Sequence, residues 1–188
     1  MAKKVLCLGD SITYGFPYGP QASWVALAGV RLPCKMINAG ENGDTVPMMA
    51  ARLPECLSRY EPHFVIVLGG TNDAYISEEQ DRVLGSLLAI IRTSKARGAL
   101  PVVGLPTPSL DPLIENHLEK LRASYRRIAA EEGCPLLDFH TPMLADGKPV
   151  AEYFVDDVHP TREGYEVMAT TAEEFLQRSL EEGWRKWS

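Results

Sequence analysis

Short runs of apolar residues recur along this chain, and within each run the apolar residues are nearly continuous instead of alternating with polar ones. Continuous apolar runs are typical of strands that are buried on both faces, as in a parallel sheet covered by helices. Each run ends in Gly, Asn, Asp or Pro, residues that terminate strands. The predicted strands comprise residues 5–8, 36–37, 64–68, 101–105 and 136–138.

Longer segments between these runs predict helices. In the second of them, Asp44 and Thr45 are candidate N-cap residues, with Pro47 in the first turn. Pro54 lies inside the same segment and is expected to kink the helix or to mark a restart. The predicted helices comprise residues 23–32, 45–59, 78–97, 112–132 and 161–187. Strand and helix alternate five times, which predicts a three-layer α/β/α sandwich around a five-stranded parallel sheet.

A doubly wound sheet of five strands commonly has the flavodoxin-like strand order 2-1-3-4-5. In that order the first strand lies between the second and third, and ligands bind at the carboxyl ends of these strands. The loops that leave the three strands are residues 9–13, 38–44 and 69–73. We therefore expect these loops to meet at one edge of the sheet.

Bulk composition narrows the classes of function. The 188 residues, 45% of them hydrophobic, suit one domain spanning residues 1–188. A formal net charge of -6 argues against a nucleic-acid partner, because such proteins need Lys and Arg to neutralise phosphates. The apolar run near the N-terminus is too short for a signal peptide or a membrane span, so we expect a cytoplasmic protein. The oligomeric state is not indicated.

The four cysteines show no C-x-x-C pair and no zinc-ligand spacing. We expect them to be reduced, although their even number leaves a disulfide possible.

The predicted loop edge holds residue types that suit nucleophilic catalysis. Ser11 follows the first strand and would present its hydroxyl and its backbone N–H at the edge. Gly43 has no Cβ to keep a substrate away from its backbone N–H. Asn72 adds a neutral amide donor. A serine nucleophile needs a base to take its proton and donors aimed at the developing oxyanion, and these residues supply the hydroxyl and the donors.

A base for this serine is expected from the loop just before the last helix. Pro160 favours an extended conformation for His159, which lets the imidazole project from the loop. Asp156, three residues upstream, can fold back to accept the Nδ1 proton and leave Nε2 free to act on Ser11. Asp157 is the rival acid, although its shorter spacing suits a role in the turn itself.

Four blocks in this order resemble the SGNH (GDSL-type) hydrolases. They are Gly-Asp-Ser-Ile at residues 9–12, Asn-x-x-x-x-Gly at residues 38–43, Gly-Gly-Thr-Asn-Asp at residues 69–73 and Asp-x-x-His-Pro at residues 156–160. The resemblance spans nearly the whole chain and implies a metal-free, cofactor-free serine hydrolase acting on a small-molecule ester. It assigns the catalytic residues to Ser11, His159 and Asp156, and the oxyanion hole to Ser11, Gly43 and Asn72. Gly40 is an alternative candidate for the glycine of the oxyanion hole, although residues 43–45 resemble more closely the pattern of the small bacterial esterases in this family.

Other functions fit the sequence less well. No G-x-S-x-G, Walker loop or G-x-G-x-x-G is present, which excludes an α/β-hydrolase nucleophile elbow and disfavours nucleotide chemistry. Thioesterase and carbohydrate acetylesterase activities share the mechanism and remain alternatives. A non-catalytic flavodoxin-like binding domain would leave His159 and Asn72 unexplained. We expect Asp10 and Asp73 to bond loop backbone, and the other three histidines to be structural or exposed.

Overall fold

A parallel five-stranded sheet forms the centre of the structure, a computed structural model that describes residues 2–181. Its strand order is 2-1-3-4-5, as predicted. The strands are β1 (Lys4–Gly9), β2 (Lys35–Gly40), β3 (Phe64–Leu68), β4 (Leu100–Leu105) and β5 (Leu136–Asp138). All five lie where the continuous apolar runs predicted them.

Seven α-helices accompany the sheet in the described part of the chain. They are α1 (Ser11–Tyr14), α2 (Trp24–Gly29), α3 (Val46–Tyr60), α4 (Thr71–Tyr75), α5 (Gln80–Ala96), α6 (Pro112–Glu131) and α7 (Arg162–Glu181). Between β5 and α7 the chain forms a small antiparallel hairpin of β6 (Leu144–Ala145) and β7 (Lys148–Pro149). Within residues 2–181, none of the helices combines the length and apolar character that a bilayer span requires.

Both faces of the sheet are covered by helices, which explains why its central strands are almost entirely apolar. Leu6 and Leu8 pack into a core with α3, α5 and α6. Val5 and Cys7, which point the other way because side chains alternate along a strand, pack into a second core with α2 and α7. The predicted three-layer α/β/α arrangement is therefore confirmed.

Helix α3 continues through Pro54 without a restart, so of the two effects predicted for this proline the restart does not occur. Proline removes one backbone donor and normally interrupts a helix. Here Leu53 and Leu57 are almost completely buried against the sheet on either side of it. We infer that this packing holds the helix together across the missing hydrogen bond.

The structure also differs from the prediction at some helix ends and in two short helices. The predicted first residues, Ser23 and Thr161, precede their helices and accept backbone N–H groups of the first turns. The short helices α1 and α4 were not predicted, because four or five residues show no periodic pattern. Residues 182–188, to which the prediction of the last helix extended, lie outside the described residues.

Cys7, Cys34, Cys56 and Cys134 are all free thiols.

Candidate active site

The carboxyl ends of β1, β2 and β3 lie side by side, as the strand order requires. Gly9 at the end of β1 is in register with Gly40 of β2 and Leu68 of β3. Ser11 begins α1 two residues beyond Gly9, and the Asp10 carboxylate caps this helix by accepting the Ile12 N–H at 2.9 Å. The cap holds the turn that presents Ser11 at the edge of the sheet.

The side chains of Ser11, His159 and Asp156 form a continuous hydrogen-bonded series. The Ser11 Oγ lies 3.0 Å from His159 Nε2, although 148 positions separate the two residues in the chain. On the other side of the ring, His159 Nδ1 lies 2.7 Å from Asp156 Oδ2. A serine hydroxyl, an imidazole and a carboxylate in this order can transfer a proton away from the hydroxyl oxygen.

Asp156 is held in its orientation by the backbone of its own loop. Its Oδ1 accepts the N–H groups of Val158 at 2.9 Å and of His159 at 2.7 Å. Burial raises the pKa of this carboxyl, but these bonds and the contact with the imidazole outweigh burial and leave the pKa below its usual value. The carboxylate therefore stays ionised beside the histidine.

The loop that carries Asp156 and His159 is anchored to the chain segment after β4. Phe154 and Pro160 form an isolated antiparallel bridge that closes the loop at its base. The backbone carbonyl of Asp157 accepts the Leu110 N–H at 2.8 Å and the Ser109 Oγ–H at 2.9 Å. Asp157 thus contacts the segment after β4 through its main chain, and its side chain is exposed.

Gly40 and Gly43, the two candidates for the glycine role, have different surroundings. A Cβ on Gly40 would lie 2.2 Å from the Tyr14 backbone nitrogen, so glycine is needed there for the close approach of β2 to α1. The Gly40 N–H is donated to Asn38 Oδ1 at 2.9 Å. Gly43 has a φ of 84°, which favours glycine, and its N–H has no hydrogen-bond partner within residues 2–181. Of these two N–H groups, that of Gly43 is available to a ligand.

Asn72 lies in the first turn of α4, after β3, and its amide reaches the loop that contains Gly43. The Asn72 Nδ2 donates to the carbonyl oxygen of Asp44 at 2.8 Å. A primary amide has two N–H donors, so one remains when the other is engaged in this way. The hydrogen bond therefore joins the loops after β2 and β3 and still leaves a donor for a ligand.

Two buried carboxylates lie in these loops. Burial raises the pKa of Asp10 to about 7, although the N–H of Ile12 acts in the opposite direction. Both carboxylate oxygens of Asp73 lie 3.1 Å from the Val46 nitrogen at the start of α3. Burial raises the pKa of Asp73 to about 6. Both residues therefore bond backbone N–H groups, as predicted, but these groups belong to the first turns of α1 and α3 and not to loops.

Two further residues lie at the site. The ring of Phe16 packs against the imidazole of His159 with centroids 4.6 Å apart, and the Phe16 carbonyl accepts the Tyr165 hydroxyl at 2.8 Å. Arg52 of α3 extends beneath the loops after β1 and β2. One signal pointed to it: Arg52 is a charged residue one helical turn from the buried Met49, on the inward side of an amphipathic helix.

The remaining histidines lie elsewhere and make structural contacts. His63, His117 and His140 are near Lys4 N, the Ala74 carbonyl and Glu115, respectively. In the described part of the chain, no three His, Cys, Asp or Glu side chains are grouped so that they could hold a metal ion.

Comparison with known proteins identifies the family of this chain. The model of the GDSL-like lipase/acylhydrolase family matches residues 7–167, which include all four blocks. The chain belongs to this family. It is therefore an ester hydrolase. This result argues against the alternative of a non-catalytic binding domain.

Individual relatives within the GDSL-like family cover most of the chain. "Thioesterase 1/protease 1/lysophospholipase L1" of Escherichia coli (strain K12) is 28% identical over 94% of this chain and 84% of its own length. "Esterase TesA" of Pseudomonas aeruginosa is 28% identical over 85% of this chain and 80% of its own. A crystal structure of a member of the lipolytic protein G-D-S-L family from Veillonella parvula has the same fold, with a TM-score of 0.85 and 24% identity over 94% of this chain and all of that one.

Proposed function

We propose that this chain forms one catalytic domain, residues 1–188, that hydrolyses carboxylic esters of short to medium acyl chains through an acyl-enzyme intermediate. The hydrogen-bonded series from Ser11 Oγ through His159 to Asp156, with distances of 3.0 and 2.7 Å, carries the proposal. Ser11 is the nucleophile, His159 the general base and Asp156 the acid that orients the histidine.

The reaction begins when His159 Nε2 takes the proton of the Ser11 hydroxyl while Oγ attacks the ester carbonyl carbon. Asp156 accepts the Nδ1 proton in a hydrogen bond and stabilises the imidazolium that forms. His159 then gives its proton to the departing alcohol oxygen, which leaves an acyl group on Ser11. A water molecule, deprotonated by the same histidine, attacks the acyl carbon. The bond to Ser11 Oγ then breaks, His159 returns the proton to Oγ, and the carboxylic acid leaves.

The negative charge that develops on the carbonyl oxygen needs donors fixed in advance. The backbone N–H groups of Ser11 and Gly43 and the free N–H of the Asn72 amide supply them in this proposal. Support comes from the unpartnered Gly43 N–H within residues 2–181 and from the bond that fixes the Asn72 amide on Asp44. Neutral donors stabilise the oxyanion without trapping it as an ion pair.

Thioester hydrolysis is a second candidate, because the Escherichia coli relative carries the name thioesterase among others. The same residues would act, with a thiol in place of the alcohol as leaving group. Rates measured on an oxygen ester and a thioester with the same acyl group separate the two activities. A cytoplasmic location and the lack of a nucleic-acid partner stay predictions.

Replacement of Ser11 by Ala tests the mechanism directly. Hydrolysis of p-nitrophenyl butyrate should fall by more than about 10³-fold, because no other group can form the acyl-enzyme. The fold should persist, as shown by circular dichroism and thermal unfolding. Ser86→Ala is the matched control, since Ser86 is only partly buried on α5 and its hydroxyl bonds the Arg82 carbonyl. Substantial activity in the Ser11 variant would rule out this mechanism, and chelators should leave the wild-type rate unchanged.

A further inference from the structure

One arginine joins the two loops that hold the proposed backbone oxyanion donors. Arg52 belongs to α3, and its side chain is 17% exposed. The Nη2 atom donates to the carbonyl oxygens of Gly9 at 3.0 Å and Ala39 at 2.8 Å. The Nε atom donates to Asp44 Oδ2 at 2.6 Å. A single guanidinium thus bonds to the end of β1, the end of β2 and the loop after β2.

These acceptors lie where the ladder between β1 and β2 ends and the two chain segments separate. The Gly9 carbonyl also accepts the Glu41 N–H at 3.0 Å, and because a carbonyl oxygen has two lone pairs, Arg52 serves as a second donor to it. An arginine has five N–H donors in a rigid plane and can serve several acceptors at once, whereas a lysine ammonium acts as a point charge. Arg52 therefore fixes the distance between Gly9 and Asp44.

Asp44 extends this connection to the third donor. Its carboxylate, on a residue that is 3% exposed, binds Arg52, and its backbone carbonyl accepts the Asn72 amide at 2.8 Å. Gly43 directly precedes Asp44, and Ser11 follows Gly9 by two positions. Arg52 and Asp44 therefore lie close to all three donor residues. Ser11 follows Gly9, which Arg52 bonds, by two positions, whereas Gly43 and Asn72 are a chain neighbour and a hydrogen-bond partner of Asp44.

We propose that Arg52, acting through Asp44, is a positioning residue that holds the loops after β1 and β2 at the separation required for Ser11, Gly43 and Asn72 to bind one oxyanion. This inference rests on the proposed function. Arg52 itself does not touch the substrate, and it contributes to the transition state by fixing donors that must not reorganise during the reaction. The acid–base loop is anchored separately, to the segment after β4.

The test replaces Arg52 by Lys, which keeps the charge but cannot reach all three acceptors in the same geometry. With p-nitrophenyl butyrate, kcat should fall by about 10-fold or more, KM should change less than about 2-fold, and the pH profile should be unchanged. Phenylboronic acid forms a tetrahedral adduct with a nucleophilic serine, so its inhibition constant should rise with the loss in kcat. Arg52→Gln is a second variant, and thermal unfolding identifies any variant that does not fold.

A double-mutant cycle with Asn72→Ala separates positioning from a general loss of structure. Asn72→Ala alone should lower kcat by about 10²- to 10³-fold. In the double variant with Arg52→Lys, the loss in kcat should be at least threefold smaller than the product of the two single losses, because both replacements act on one oxyanion hole. Arg31→Lys is the control, since Arg31 also bridges two carboxylates, on Glu166 and Glu173, but lies at the end of α2.

The possible results distinguish this inference from the proposed function. An inactive Ser11→Ala variant together with an unchanged boronic acid constant in Arg52→Lys would overturn only the role of Arg52. Losses that multiply fully in the double variant would also overturn it. Full activity of Ser11→Ala would instead refute the proposed function itself.

Discussion

Asp156 and Asp157 are adjacent in sequence, yet they contact different parts of the molecule. Asp156 uses one carboxylate oxygen for the backbone of its loop and the other for His159 Nδ1. Asp157 uses its backbone carbonyl to hold the loop against Ser109 and Leu110. A change in the side chain should therefore affect catalysis at one position and not at the other.

Asp156→Asn should lower kcat by about 10⁴-fold, because an amide cannot stabilise the imidazolium and favours the wrong tautomer of His159. Asp157→Asn should leave kcat within about 2-fold of the wild type, since the main-chain contacts remain. Steady-state kinetics of the two variants on one ester give the comparison. Equal losses in both variants would contradict the proposed role of Asp156.

Single residues were predictable from the sequence where local spacing determines them. The spacing of Asp156, His159 and Pro160 indicated a loop that folds back on itself, and the backbone bonds of Asp156 have this form. Arg52 was not predictable in the same way, because its acceptors on Gly9 and Ala39 lie 43 and 13 positions away in the chain. Only the register of β1 and β2 brings them together.

At the scale of elements, α3 begins at a carboxylate from a different loop. Asp44 and Thr45 were the N-cap candidates, and Thr45 occupies the cap position, but its side chain makes no capping bond. The Asp73 carboxylate accepts the Val46 N–H instead. Asp44 is engaged by Arg52. The local sequence located the start of the helix correctly but could not identify the capping group, which comes from the loop after β3.

The buried cap on α3 makes stability depend on pH. Burial raises the pKa of Asp73 to about 6 in the folded chain, whereas an aspartate in the unfolded chain titrates near its usual value of about 4. The folded state therefore binds the proton more tightly. The stabilisation that this provides is present below pH 4, is lost as the pH rises through about 6, and is absent above that.

Asp73→Asn keeps an oxygen acceptor for Val46 and removes the buried charge. Above pH 6 the variant should exceed the wild type in free energy of unfolding by up to about 3 kcal/mol, and the difference should approach zero near pH 4. Urea unfolding at several pH values measures it. Asp146→Asn, at an exposed turn, is the control. A difference that does not change with pH would contradict the titration of Asp73.

The pattern of apolar residues predicted the long elements for a physical reason. The central strands β1, β3 and β4 are buried on both faces, and each long helix is buried on one face, so their sequences show a regular pattern of apolar residues. The helices α1 and α4 are four and five residues long and are fixed by tertiary contacts instead. Both lie at the candidate site, where α1 presents Ser11 and α4 presents Asn72.

At the scale of the whole molecule, the exposed apolar side chains are concentrated on one side. In the described residues, six of the seven large exposed apolar side chains come from segments that follow the carboxyl ends of strands. Val30, at the end of α2, is the exception. The six are Phe16, Met48, Tyr75, Ile76, Leu113 and Val155. Apolar surface gathered around a reactive edge is typical of a binding region for an apolar ligand.

We therefore expect the apolar edge to contribute to the choice of acyl chain. Leu113 and Tyr75 are 77% and 72% exposed, so replacing them by Ser removes contact area without disturbing the core. At least one of the two replacements should lower kcat/KM by about 3- to 10-fold for an octanoyl ester and leave an acetyl ester unaffected. Each methylene withdrawn from water contributes about 0.8 kcal/mol, so an octanoyl chain can gain far more from apolar contacts than an acetyl group can.

Val30→Ser is the matched control, because Val30 is 85% exposed but lies where α2 ends, before the start of β2. It should change neither ester by more than about 2-fold. Rates are measured with p-nitrophenyl acetate, butyrate and octanoate below the concentrations at which these esters aggregate. A change in kcat/KM with acyl length then reflects binding to the protein. Equal losses in kcat/KM for the acetyl and octanoyl esters would indicate that the replacements disturb the catalytic residues and not the binding of the acyl chain. If neither Leu113→Ser nor Tyr75→Ser affected octanoate, the apolar edge would have no part in acyl binding.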